Sequence, residues 1–155
     1  ILFKSIFQAV QYLHENKIIH RDIKLENIII TEKQNLKLID FDLSVIQNYN
    51  KNYKACGTLQ YMAPELLNGM KFDNKIDIWS LGITLYSAVF GFFPFNSADF
   101  NSYSNEALTQ KPFFDIDDVY VSDDFIDLIN KMLEKIPSKR ITINECLKHS
   151  WFNLS

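Results

Sequence analysis

His20, Arg21 and Asp22 stand in succession, Lys24 and Asn27 follow within five residues, and Asp40 comes eighteen residues after Asp22, beside Phe41 and Asp42. In that order the chain carries a carboxylate able to accept a proton, a cation, and two oxygen-bearing side chains able to hold a metal. These are the parts of a phosphoryl-transfer site. Moving a phosphoryl group to an alcohol demands neutralised phosphate charge, an aligned hydroxyl and an acceptor for its proton. A neutral amide oxygen from Asn27 and an anionic one from Asp40 suit Mg²⁺, which takes oxygen ligands and keeps coordination positions for phosphate and water. Taken singly, each residue has a plainer reading: a loop Asp as a turn former, Asp40 and Asp42 as a polar strand end, Lys24 and Glu26 as a surface pair. The joint order is what carries the chemistry.

Such a site needs elements that bring distant residues together. Leu2, Phe3, Ile6, Phe7, Val10 and Leu13 recur at helical spacing, so residues 2–15 are predicted as an amphipathic helix ended by Asn16 and Lys17. Ile28 to Ile30 and Leu36 to Ile39 read as the strands of a small hairpin around 31–35. Asp22 and Asn27 lie on the loop entering that hairpin and Asp40 just past it, so strand pairing draws them close. The polar, aperiodic stretch from Leu43 to Gly57 predicts a mobile loop. Asp73 is the expected N-cap of a helix from Lys75 to Phe90, apolar nearly all round and therefore central to the core. Ser122 is expected to cap a helix carrying Phe125, Leu128, Ile129 and Met132, and Thr142-Ile143-Asn144-Glu145 reads as a capping box opening a short helix to Leu147. Between them, 92–118 reads as irregular, with one helix near Ser104 to Leu108.

Composition narrows the alternatives. A chain of 155 residues, 47% apolar, supports one substantial core. Its net charge of -3 includes no basic tract, which argues against nucleic acid or an anionic membrane as the main partner. Trp79 to Phe95 is seventeen residues without a charge, short of a membrane span and broken by Ser80, Thr84 and Ser87, so no span is expected. Cys56 and Cys146 show no metal-binding or disulfide spacing and are read as free thiols of an intracellular, cytoplasmic protein. The chain opens on Ile1 without a secretory segment, and is read as a fragment.

With Ala63-Pro64-Glu65 downstream, His20-Arg21-Asp22-x-Lys24-x-x-Asn27 and Asp40-Phe41 resemble the C-terminal half of the eukaryotic protein kinase domain, of serine/threonine type, over nearly the whole chain. The resemblance implies a mainly α fold with a small β-hairpin, a protein-kinase-like C-lobe of the α+β kind with the N-lobe absent. Residues 1–155 would then form one lobe, with a catalytic loop at 20–27 and an activation segment at 40–65. It implies ATP and Mg²⁺ as cofactors, and protein substrates with Ser or Thr acceptors. Asp22 would orient the substrate hydroxyl and accept its proton, Lys24 would contact the γ-phosphate, and Thr58 would bond toward both. Asn27 and Asp40 would hold the metal, and Ile29 would floor the adenine. Glu26 falls with Lys24, Asn27, Ile29 and Asp40 in the cofactor-binding stretch, and also matches an acid that contacts arginine in some substrates. His20 and Phe41 match packing residues, Arg21 an arginine that pairs with an activation-segment phosphate, Glu65 and Arg140 a salt-bridged pair, and Asp77 a buried aspartate that receives catalytic-loop amides. Gly57 to Glu65 loosely resembles the calcium/calmodulin-kinase-like group.

Two departures stand out. Asp42 replaces the glycine of the metal motif, removing backbone freedom and adding charge. No glycine-rich phosphate loop or Val-Ala-Ile-Lys-type lysine occurs in these residues, so the missing N-lobe must come from a longer protein. The rival to an active kinase is a non-catalytic pseudokinase-like or truncated binding module.

Overall fold

The helix from Lys75 to Phe90 buries residues on every side, Asp77, Ser80, Thr84 and Ser87 included. Its serine and threonine hydroxyls can be hidden because each finds a carbonyl: Thr84 Oγ1 donates to Ser80 at 2.7 Å and Ser87 Oγ to Ile83 at 2.6 Å, while Ser80 Oγ has its proton within reach of both the Tyr61 carbonyl at 2.8 Å and the Ile76 carbonyl at 3.1 Å. Gly91 ends it in the left-handed conformation, its amide bonded to the Ser87 carbonyl at 2.9 Å. No helix among the described residues is long and apolar enough to cross a membrane.

The computed structural model describes residues 2–48, 53–115 and 119–153. In chain order it contains α1 (Lys4–Glu15), β1 (Ile18–Ile19), β2 (Ile28–Ile30), β3 (Leu36–Leu38), β4 (Val45–Ile46), α2 (Pro64–Leu67), α3 (Lys75–Phe90), α4 (Phe100–Thr109), α5 (Asp123–Met132) and α6 (Ile143–Leu147). Short 3₁₀ turns occupy Leu25–Asn27, Leu59–Tyr61 and Ser150–Asn153. The architecture is mainly α with two small antiparallel sheets, as expected of the resemblance. β2 pairs with β3 in the register Ile28 to Leu38, Ile29 to Lys37 and Ile30 to Leu36.

Helix α3 packs on α5 and on the Leu59–Tyr61 turn, while α1 packs on α6, β1 and β3. From α1, Ile6, Phe7, Val10 and Leu13 point into the core, and Phe7 meets Phe152 edge-on at 4.8 Å. Helix α5 lies close because Gly82 has no side chain: a Cβ there would stand 3.0 Å from both Leu133 Cδ2 and Met132 Cβ. The Ser122 cap accepts from the Phe125 amide at 3.2 Å, and the Thr142–Glu145 capping box is complete in both directions.

Four local expectations change. Helix α1 starts at Lys4, leaving Leu2 exposed ahead of it. The cap position of α3 is Asn74, yet Asp73 still serves the helix end, its carboxylate accepting from the Lys75 amide at 2.9 Å. The helix expected at 104–108 is longer, because Asp99 accepts from the Ser102 amide at 3.0 Å and starts α4 at Phe100. The stretch 43–57, read as loop throughout, contains β4, which pairs antiparallel with β1. Two-residue strands carry no periodicity to read; residues 49–52 of that loop lie outside the described residues.

Candidate active site

The site begins with a buried carboxylate under the loop that follows β1. Asp77, fully buried on the first turn of α3, accepts from the His20 amide through Oδ2 and from the Arg21 amide through Oδ1, both at 2.9 Å. Oδ2 also accepts from His14 Nε2 at 2.9 Å. A buried carboxylate is tolerable only when its lone pairs are engaged, and here three donors do so. They fix the loop's backbone to the core, and Arg21 is thereby held at a positive φ of 70°. Such a conformation is costly for a side-chain-bearing residue and persists where surrounding contacts overdetermine it.

His20 is buried beside it and fixes the next turn. Its Nε2 donates to the Ile39 carbonyl at 3.2 Å, while Nδ1 accepts from the Asp22 amide at 3.3 Å. One ring nitrogen donates and the other accepts, so the imidazole is neutral. Its pKa is lowered from 6.5, first by burial, against the opposing charges of Asp77, Asp22 and Asp40. Phe41, half exposed, meets that ring edge-on at 4.9 Å.

Asp22 sits at the centre of a side-chain network. Lys24 Nζ lies 2.8 Å from its Oδ2, and Asn27 Nδ2 donates to the same oxygen at 3.1 Å and to the Asp22 carbonyl at 2.9 Å. Thr58, across the chain on the far side of the loop, donates to Asp22 Oδ1 at 3.3 Å and accepts from Lys24 Nζ at 3.0 Å. Gly57 makes this approach possible: at φ 112°, a Cβ there would stand 2.8 Å from the Arg21 carbonyl.

Asp40 reaches the same region through the hairpin. The Ile39 amide donates to the Asn27 carbonyl at 2.9 Å, which extends the β2–β3 pairing by one step, so that Asp40 directly follows the residue paired with Asn27. Asp40 adopts a positive φ of 65° and remains exposed; its Oδ1 accepts from the Asp42 amide at 3.3 Å. Asp42 itself lies outside the left-handed region, so this position does not use the freedom a glycine would bring. Asn27, buried, spends both amide hydrogens on Asp22, and among the described residues its Oδ1 accepts no hydrogen bond. No cluster of three His, Cys, Asp or Glu residues able to hold a metal occurs among the described residues. A cation here would take one amide oxygen and one carboxylate from the chain and the rest of its shell from a ligand or water, a donor set that fits Mg²⁺.

The remaining residues singled out from sequence lie around this centre. Glu65 and Arg140 form a buried bidentate pair at 2.7 and 2.9 Å, and Arg140 also donates to the carbonyls of Glu134 and Lys75, each at 2.8 Å. Glu26 is exposed and accepts from the Tyr61 hydroxyl at 3.3 Å. Burial and the Glu26 charge push the Tyr61 pKa up to about 12, so this phenol stays a donor. Ile29 is 44% exposed, and Leu25, Ile30, Ile39 and Phe41 are exposed as well. Sequence reading passed over His14, whose one signal is that it is the basic residue in the last turn of α1; Tyr53 drew notice only as a neighbour of Lys54 open to phosphorylation and Tyr61 only as part of the stretch before Ala63-Pro64-Glu65, and no local pattern pointed to the contacts either makes.

Comparison with known proteins identifies the family. The sequence matches the family described as protein kinase domain over residues 1–152. It is 43% identical over 152 residues to a carbon catabolite-derepressing protein kinase of Secale cereale, covering 97% of this chain and 30% of that protein. It is 40% identical over 157 residues to serine/threonine-protein kinase kin-29 of Caenorhabditis elegans, covering 98% of this chain and 18% of that one. Calcium-dependent protein kinase 4 of Plasmodium berghei is 37% identical over 159 residues, covering 99% of this chain and 30% of that protein. The chain thus spans less than a third of the length of each, and the likeness to a calcium-dependent enzyme is not stronger than the likeness to the others.

Proposed function

The chain belongs to the protein kinase domain family, and from that premise we propose that it serves a protein serine/threonine kinase, transferring the γ-phosphoryl group of Mg-ATP to a serine or threonine hydroxyl. Residues 1–155 act as the C-terminal lobe, with the catalytic loop at 20–27 and the activation segment at 40–65. One observation carries the reading: Asp22, Lys24, Asn27 and Thr58 form a hydrogen-bonded set, and Asp40 follows directly on Ile39, whose amide bonds to the Asn27 carbonyl.

In this reading Asp22 Oδ1 and Oδ2, aimed by Thr58 and Asn27, accept the substrate hydroxyl's proton. Lys24, already shared between Asp22 and Thr58, turns its charge toward the phosphoryl oxygens. Asn27 Oδ1 and the Asp40 carboxylate would hold Mg²⁺, which would supply neutralisation of the phosphate charge. Exposed Ile29 would lie under the adenine, and an N-lobe supplied by a longer protein would cover other exposed apolar side chains of this region. Glu26, tied to Tyr61, favours a basic residue in the peptide substrate. Two unpaired cysteines suit an intracellular, cytoplasmic setting.

A non-catalytic scaffold would draw support from Asp42, but the backbone there adopts a conformation open to any residue. The test is phosphotransfer from Mg-ATP by the longer protein, compared with Asp22→Asn. A drop of about 10²–10⁴-fold in kcat is expected for loss of a positioned base. Equal rates would reject Asp22 in that role.

A further inference from the structure

Arg21 is a cation held entirely by neutral groups. Its guanidinium donates through Nε to the Leu43 carbonyl at 2.5 Å and through Nη1 to the Lys54 carbonyl at 3.3 Å. No ion pair to Arg21 forms among the described residues. The neighbouring Lys54 adds positive charge to this stretch rather than the negative charge a guanidinium ordinarily attracts. What Arg21 does have is a ring: its guanidinium carbon lies 5.7 Å from the centroid of Tyr53, within cation–π range. Tyr53 is anchored in turn, its hydroxyl donating to the Ile46 carbonyl at 2.6 Å and its ring standing 6.2 Å from Phe72.

Those contacts close a circuit. Ile46 pairs with Ile18 on β1, β1 leads directly into His20-Arg21-Asp22, and Tyr53 lies five residues before Thr58, which bonds to Asp22. Tyr53 thus touches the catalytic loop through Arg21, β4 through Ile46, and the 53–58 segment by covalent continuity.

We propose that Tyr53 is a positioning residue whose stack on Arg21, with its hydroxyl tied to β4, takes the place of an anionic partner and holds residues 53–58 against Asp22 without phosphorylation of this segment. The proposal rests on the kinase reading for its effect on activity, but the clamp has a readout of its own. Cys56 lies inside the clamped segment, half buried, whereas Cys146 is fully buried and serves as an internal reference.

The experiment compares the longer protein with Tyr53→Leu, which removes the ring while keeping bulk, and Tyr53→Phe, which keeps the ring and loses the hydroxyl bond. Each is assayed before and after phosphatase treatment. Alkylation of Cys56, followed by mass spectrometry, is expected to accelerate about 3–30-fold in Tyr53→Leu, the range a lost cation–π contact spans, and to rise far less in Tyr53→Phe. Peptide kcat/KM falls by a similar factor in Tyr53→Leu with KM for ATP unchanged, and phosphatase leaves the unsubstituted protein unaltered. Cys56 labelling in Tyr53→Leu at the original rate would overturn the clamp, as would Tyr53→Phe labelling as fast as Tyr53→Leu. A collapse of activity on phosphatase treatment would show that phosphate, not the ring, holds the segment. Should the unsubstituted protein transfer no phosphate, the kinase reading fails while Cys56 labelling still decides the clamp.

Discussion

Lys135 shows how one side chain can be placed at a cost that the rest of the core absorbs. Its Nζ is buried without a hydrogen-bond partner, over the rings of Phe95 at 4.3 Å and Trp79 at 5.0 Å. Burial drops its pKa from 10.5 to about 8, with the Arg140 charge adding to the fall and Glu134 opposing it. Between those values the unfolded chain binds the proton more tightly than the folded one, so stability rises as pH climbs through that window and the full penalty applies below it. Lys135→Met is expected to raise stability at pH 7 by about 1–2 kcal/mol, the relieved desolvation exceeding the lost cation–π contact, and to flatten the pH dependence between 8 and 10.5. Urea unfolding at pH 7 and pH 10 checks both; a less stable variant at pH 7 would mean the ring contacts outweigh burial. His20 runs the same way at lower pH. Its lowered pKa makes its contribution present above 6.5 and lost as acid protonates the ring.

Between elements, the Glu65–Arg140 pair ties helix α2 to the loop that joins α5 to α6. Helix α2 has four residues, too few to be stable by itself, and its Glu65 is buried against an arginine seventy-five positions away. Arg140→Met leaves a buried carboxylate unpaired and is expected to cost about 3–5 kcal/mol, whereas the double change with Glu65→Leu recovers most of that. Thermal or urea unfolding of the two singles and the double measures the coupling, and additive losses would show that the pair does not act as a unit. Much at this level was legible in advance. Helix α5 and the capping box of α6 follow from local patterns of side-chain type, and the β2–β3 hairpin from two aliphatic runs around a polar turn. β4 was not legible, because a two-residue strand is defined by its partner β1 rather than by its own sequence.

Across the molecule, α3 is both core and foundation of the site. Its Asp77 holds the His20 and Arg21 amides, and its Ser80 hydroxyl donates to the Tyr61 carbonyl at 2.8 Å, so the loops on either side of the candidate site hang from one helix. Asp77→Asn keeps the shape but turns an NH₂ toward one of those amides, donor facing donor. A loss of about 2–3 kcal/mol is expected by urea unfolding, with phosphotransfer by the longer protein falling alongside. Unchanged stability would mean the loop does not depend on this anchor.

The identity and order of Asp22, Lys24, Asn27, Asp40 and Thr58, the amphipathic helices and the hairpin were determined by the sequence alone, since they depend on residue type and short-range spacing. Only the tertiary structure decided that His14 joins the Asp77 anchor, that Arg21 and Asp40 take left-handed backbone angles, and that Tyr53 covers a guanidinium. Each of these is a contact or a conformation imposed by partners far along the chain, and no local pattern encodes a distance between residues that meet only after folding.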